Sequence, residues 1–129
     1  MLSELRRKVP DARVVHWLSQ HPAGTLYLSV LALGEIRKGI EALPDPPRRL
    51  VLVDWLDTEL PAFFSGRILP IDAAVADRWG RLVAQAGRPL PAIDSLLAAT
   101  ASQHGLILVT LNLRDVQGLG VQILGPWDE

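Results

Sequence analysis

The sequence predicts an α/β domain in which a mostly parallel sheet carries helices on both faces. Three observations support this. Helical and strand-like patterns alternate along the chain. The β-rich runs are short and bounded by Gly, Pro or polar residues. The connections between those runs are long enough to hold a helix, as parallel neighbours require. With 129 residues, 49% of them hydrophobic and 21% charged, the chain has the size and apolar content of one domain, residues 1–129, with its own core. No repeat of fixed period divides it.

In chain order, helical patterns cover Leu2–Lys8, Asp11–Gln20, Leu31–Ala42, Arg48–Glu59, Asp72–Ala86 and Ala92–His104. Asp11 and Asp72 stand where N-caps belong, and Gly87 and Gly105 close two of the helices. The strand-like runs are Thr25–Val30, Gly66–Ile71, Leu106–Thr110 and Val121–Leu124, of which Leu106–Thr110 reads as buried. The proline-rich stretch Leu43-Pro-Asp-Pro-Pro47 is a loop between helices. Sheets of this kind gather ligands beyond the carboxyl ends of their strands, so the polar residues that fall there are the candidates for function.

Composition narrows the chemistry. The chain has no cysteine, so disulfides, thiol nucleophiles and cysteinyl zinc are excluded, and any metal must be held by oxygen or imidazole. No apolar stretch approaches the roughly 20 residues of a membrane span, and the run from Met1 to Lys8 lacks the apolar segment of a signal peptide, so a cytoplasmic location is expected. The net charge is −1, with basic clusters at Arg6-Arg7-Lys8, Arg37-Lys38 and Arg48-Arg49 that read as solvated helix faces. Without a broad basic footprint, any RNA would have to be held locally, in a groove.

Three acids fall where a strand has just ended or a helix just begun: Glu35, Asp94 and Asp115. Glu35 reads either as a site residue beside the permissive Gly34 or as a surface residue paired with Lys38. Asp94 reads either as a ligand or as a first-turn acid favoured by the helix macrodipole. Asp115 reads either as a ligand or as a turn-forming cap. If the three converge, an all-oxygen donor set favours Mg²⁺ or Mn²⁺, and phosphodiester hydrolysis follows without any protein nucleophile.

Other features are weaker. His16, His21 and His104 lack zinc-ligand spacing, and Ser29, Ser95 and Ser102 lack a nucleophile-elbow frame. No glycine-rich phosphate loop is present. The four tryptophans read as core or interface residues.

Four blocks, taken together and in order, resemble PIN-domain ribonucleases of the VapC type. They are Leu2-Ser-Glu-Leu-Arg6, the run Leu28 to Ile40 containing Leu33-Gly-Glu-Ile-Arg-Lys38, the run Leu90 to Ala101 containing Pro91-Ala-Ile-Asp-Ser95, and Leu108-Val-Thr110 with Asn112 and Asp115. The resemblance spans essentially the whole chain. It implies a three-layer α/β/α fold and a Mg²⁺ site of Glu35, Asp94 and Asp115 supported by Thr110 and Asn112. It also implies endoribonuclease activity, a cognate antitoxin, and a homodimer. The apolar residues of the helices between Leu31 and Glu59 are candidate contact surfaces.

The chain departs from the family in two places. Members begin with an apolar strand ending in Asp-Thr-Asn, directly before the segment that matches Leu2–Arg6. Here Met1 stands after that point, so the first strand and the first catalytic aspartate are expected to be missing. A start codon set too late is the expected origin, ahead of truncation or gene decay. The alternative function is then a catalytically incomplete module that acts only by binding an antitoxin or dimer partner. The second departure is Leu111, where relatives often carry a polar or basic residue.

Overall fold

The computed structural model describes residues 23–109 and 116–124. The helical patterns at Leu2–Lys8 and Asp11–Gln20 lie outside these residues.

A 3₁₀ turn, Ala23–Thr25, leads into strand β1, Leu28–Ser29. Ser29 ends the strand because it caps the next helix: its backbone is extended, and its hydroxyl accepts a hydrogen bond from the Leu31 amide at 3.1 Å. Helix α1, Val30–Glu41, therefore starts inside the run expected to be strand, and β1 is shorter than its β-rich sequence. Ala32, Ile36 and Ile40, four residues apart, form the buried stripe of α1.

The expected loop follows α1, and Pro46 opens helix α2, Pro46–Asp54, with its φ already suited to a first turn. The helix expected over Arg48–Glu59 is longer and less regular than its pattern implies. After α2 the chain makes a π turn, Trp55–Glu59, closed by the Leu60 amide on the Trp55 carbonyl, and then a short helix α3, Leu60–Phe63. Pro61 supplies the reason. It has no N–H, and its ring would strike the carbonyl four residues back, at Asp57; the wider turn makes room.

Strand β2, Ile68–Leu69, pairs in parallel with β1, Leu28 opposite Ile68 and Ser29 opposite Leu69. Gly66, at φ +74°, turns the chain into β2, and Pro70 ends it by removing a ladder donor. Arg67 fastens this corner: Nη1 donates to the Leu26 carbonyl at 2.8 Å, and the guanidinium lies 5.9 and 5.7 Å from the ring centres of Phe63 and Phe64.

Helix α4, Ala73–Ala86, has the caps read from sequence: the Asp72 carboxylate accepts from the Val75 amide at 2.9 Å, and Gly87 is left-handed at φ 68°, ψ 14°. Helix α5, Ala92–Gln103, ends at His104 with Gly105 at φ +65°, and the chain enters strand β3, Leu108–Val109. Strand β4, Ile123–Leu124, pairs with β3 in parallel. Both ladders are thus parallel, as the alternating pattern predicts. Among the described residues they form two two-stranded ladders.

The core has two parts. The first gathers Leu28, Ala32, Ile36, Leu56, Leu60, Phe64 and Val109; the second gathers Leu82, Leu97, Ala98, Ala101, Leu108 and Val116. The adjacent residues of β3 divide between them: Leu108 packs into the second part and Val109 into the first, because successive side chains of a strand point to opposite faces. The layers on the two faces of the strands are therefore built from α1–α3 on one side and α4–α5 on the other.

Candidate metal centre

Asp94 occupies the first turn of α5, whose N-terminal residue, Pro91, supplies no side-chain cap. A carboxylate placed there only to complement the macrodipole has no need to leave water. Asp94 is 6% exposed, in a helix that also buries Ser95, Leu97, Ala98, Ala99, Thr100 and Ala101. Withdrawing an ionised carboxyl from water costs several kcal/mol unless charge and hydrogen bonds compensate, so burial marks this acid in a way that its sequence position does not.

The turn bearing Asp94 is held rigidly. The indole Nε1–H of Trp79 on α4 donates to the Ser95 hydroxyl at 2.9 Å, and that hydroxyl donates to the Ala92 carbonyl at 2.8 Å. One step behind Asp94, Leu97 and Ala98 enter the second core part at 1% and 0% exposure. Trp79 and Ser95 read from sequence as an ordinary core residue and a weak nucleophile candidate. Their role in fixing this turn has no local signal, because the two residues belong to different helices.

Glu35 lies on α1 and is half-buried. It follows Leu31 by four residues on the same helix face, and Leu31 packs against the core part that holds Leu97 and Leu108. Helical side chains lean toward the N-terminus, so Glu35 is directed over the turn of Leu31. The face of α1 that carries Glu35 and the helix that carries Asp94 therefore flank one patch of core. Among the described residues, the ion pairs on this part of α1 are those of Arg37, with Glu41 at 3.6 Å and with Asp57 of the π turn, and the Glu35–Lys38 pair that spacing suggests is not among them.

Thr110, Asn112 and Asp115 lie outside the described residues. Their flanks are buried: Val109, 6% exposed, precedes them, and Val116, 1% exposed, follows. Val116 shares its core part with Leu97 and Ala98, the residues just behind Asp94. Among the described residues, no three acidic or histidine side chains gather into a metal site. Asp94 and Glu35 supply only carboxylate oxygens, a donor set that favours a hard divalent cation over zinc.

A PIN domain model matches residues 2–116. The chain is 33% identical over 131 residues to "VapC ribonuclease Y4jK" of Sinorhizobium fredii, covering 99% of this chain and 94% of that protein. It is 33% identical over 132 residues to "Toxin FitB" of Neisseria gonorrhoeae, covering 100% of this chain and 95% of that one. The crystal structure of FitAcB from Neisseria gonorrhoeae superposes with a TM-score of 0.86 at 31% identity, covering 100% of both chains. A family match that runs from residue 2 to residue 116, with relatives aligned over nearly their whole length, leaves one conclusion: this chain belongs to the PIN-domain family, in its VapC-type branch.

Proposed function

We propose that the protein is a Mg²⁺-dependent endoribonuclease, the toxin of a type II toxin–antitoxin pair, which hydrolyses RNA phosphodiester bonds at an acidic site. The observation that carries this reading is the burial of Asp94 in the first turn of α5, in a chain whose relatives include a VapC ribonuclease. Asp94 and Asp115 would hold the cation directly, and Glu35 would orient it or the attacking water. Thr110 and Asn112 would support the site from the segment after β3. A bound divalent cation would supply a lowered water pKa and charge neutralisation at the phosphate. The protein's own part is positioning: Ser95 and Trp79 fix the turn of Asp94, and Leu31 fixes the face of Glu35.

The partner we assign is a cognate antitoxin, in keeping with the similarity to the toxin FitB. Leu50 and Val51 on α2 are 69% and 68% exposed, which leaves an apolar face available to an antitoxin or to a second copy.

Cleavage of RNA by the chain with Mg²⁺ or Mn²⁺, compared with Asp94→Asn and with metal removed by chelator, tests the activity. Metal-dependent cleavage that Asp94→Asn abolishes is expected. Equal turnover by the two proteins overturns the reading.

A further inference from the structure

We infer a second RNA contact, separate from the acidic site: a cleft between α4, α5 and the glycine turn at residues 117–120 that holds the phosphodiester backbone of the strand. The inference rests on the ribonuclease reading above for the identity of the strand, but its geometry is independent of the acids.

The cleft measures about 480 Å³, and Arg78, Arg81, Gln85, Ser102, Gly118 and Gly120 supply its polar and glycine walls. Arg78, Arg81 and Gln85 lie on one face of α4, separated by three and four residues, which at 1.5 Å rise per residue spaces them by about 4.5 and 6 Å along the wall. Among the described residues, no carboxylate lines the cleft. The opposite wall has no side chains at Gly118 and Gly120, which sit at φ +78° and +75°, and a Cβ at either would meet open space.

The arginines are held in a particular way. Arg78 donates from Nε to the Gln103 side-chain carbonyl oxygen at 2.8 Å and from Nη1 to the Ser102 hydroxyl at 3.3 Å. Arg88, just after α4, donates from Nη2 at 2.8 Å to the carbonyl of Gln117, the first residue of the glycine turn. These acceptors are neutral, so they orient the guanidinium groups without cancelling their charge. Arg81, by contrast, is paired with Asp77. Pre-oriented guanidinium groups held by neutral acceptors suit anion recognition, since arginine's planar fork matches a phosphate. On α5 the cleft residue Ser102 lies eight residues beyond Asp94, about 12 Å away at 1.5 Å rise per residue. The sequence's net charge of −1 conceals the cleft because its basic residues come from separate turns.

The test is fluorescence anisotropy with a 2′-O-methyl oligonucleotide, which cannot be cleaved, in EDTA and at several salt concentrations. The proteins are the full chain, Arg78→Gln/Arg88→Gln, and Arg78→Lys/Arg88→Lys. The Gln pair should weaken binding by about tenfold or more and flatten the log K against log salt slope by about 1.4, at about 0.7 for each phosphate of a single strand that is no longer neutralised. The Lys pair should restore most of the slope. Unchanged affinity and slope in a folded Gln pair overturns the proposal, as does absence of binding by the parent chain. Displacement of the oligonucleotide by polyglutamate at matched charge concentration also overturns it, assigning the cleft to an acidic peptide. Failure of the ribonuclease reading would look different: no metal-dependent cleavage, with arginine-dependent binding intact.

Discussion

Helices α2 and α5 stand at opposite extremes of burial. Helix α5 buries seven of its twelve residues, on every side, and its small side chains Ala98, Ala99 and Ala101 let neighbours approach from all directions. Helix α2 buries none of its nine and shows Leu50 and Val51 to solvent. A helix apolar all round is fixed in its core, whereas one whose apolar face is uncovered is completed by something else. The difference separates two tasks within one domain. In the function proposed above, α5 positions a carboxylate and α2 offers surface.

The widest break in this comparison should come from truncating a side chain on each helix. Leu97→Ala is expected to cost about 2–5 kcal/mol, through reduced burial and the cavity left behind, while Leu50→Ala should stay within about 0.5 kcal/mol. Urea denaturation of the two variants measures both, and similar losses would erase the contrast.

A second prediction concerns the charge that α5 carries. Asp94→Asn is expected to reduce metal-dependent cleavage by about 100-fold or more, the upper end of what even outer-shell changes at metal sites cost. It should also remove any rise in melting temperature that Mg²⁺ gives the parent chain. Differential scanning fluorimetry with and without Mg²⁺ checks this independently of turnover.

Smaller effects sharpen the comparison at its edges. Asp72→Ala removes the hydrogen bond to the Val75 amide and should cost about 1 kcal/mol by denaturation, with cleavage otherwise unchanged. Leu50→Ser/Val51→Ser should shift stability by no more than about 0.5 kcal/mol per site, yet weaken antitoxin binding by about tenfold in calorimetry. Full antitoxin affinity in that variant would show that the exposed face of α2 serves another purpose.

Much of the fold was legible because its signals are local. Asp72 and Gly87 bound α4 where a carboxylate cap and a left-handed glycine are read directly from the chain, and the alternation of patterns anticipated parallel pairing. The misjudged bounds came from competition between local signals. Thr25–Val30 looks like one strand, but Ser29 caps a helix inside it; Arg48–Glu59 looks like one regular helix, but Pro61 beyond it forces a π turn. Motif order points to Glu35, Asp94 and Asp115, and of these the structure describes Glu35 and Asp94.

By itself, the sequence determined the alternation that gives parallel pairing, the Asp72 and Gly87 caps of α4, the absence of thiol chemistry and membership of the family, since each depends on residues close together in the chain or on motifs in series. Only the tertiary structure decided that Asp94 is buried, that Trp79 reaches Ser95 across sixteen residues, and that Arg78 and Arg88 meet neutral acceptors twenty-five and twenty-nine residues away. Burial and side-chain pairing at such separations depend on how helices pack. No run of adjacent residues encodes that, so what separates Asp94 from an ordinary first-turn carboxylate is the enclosure of α5 in the core.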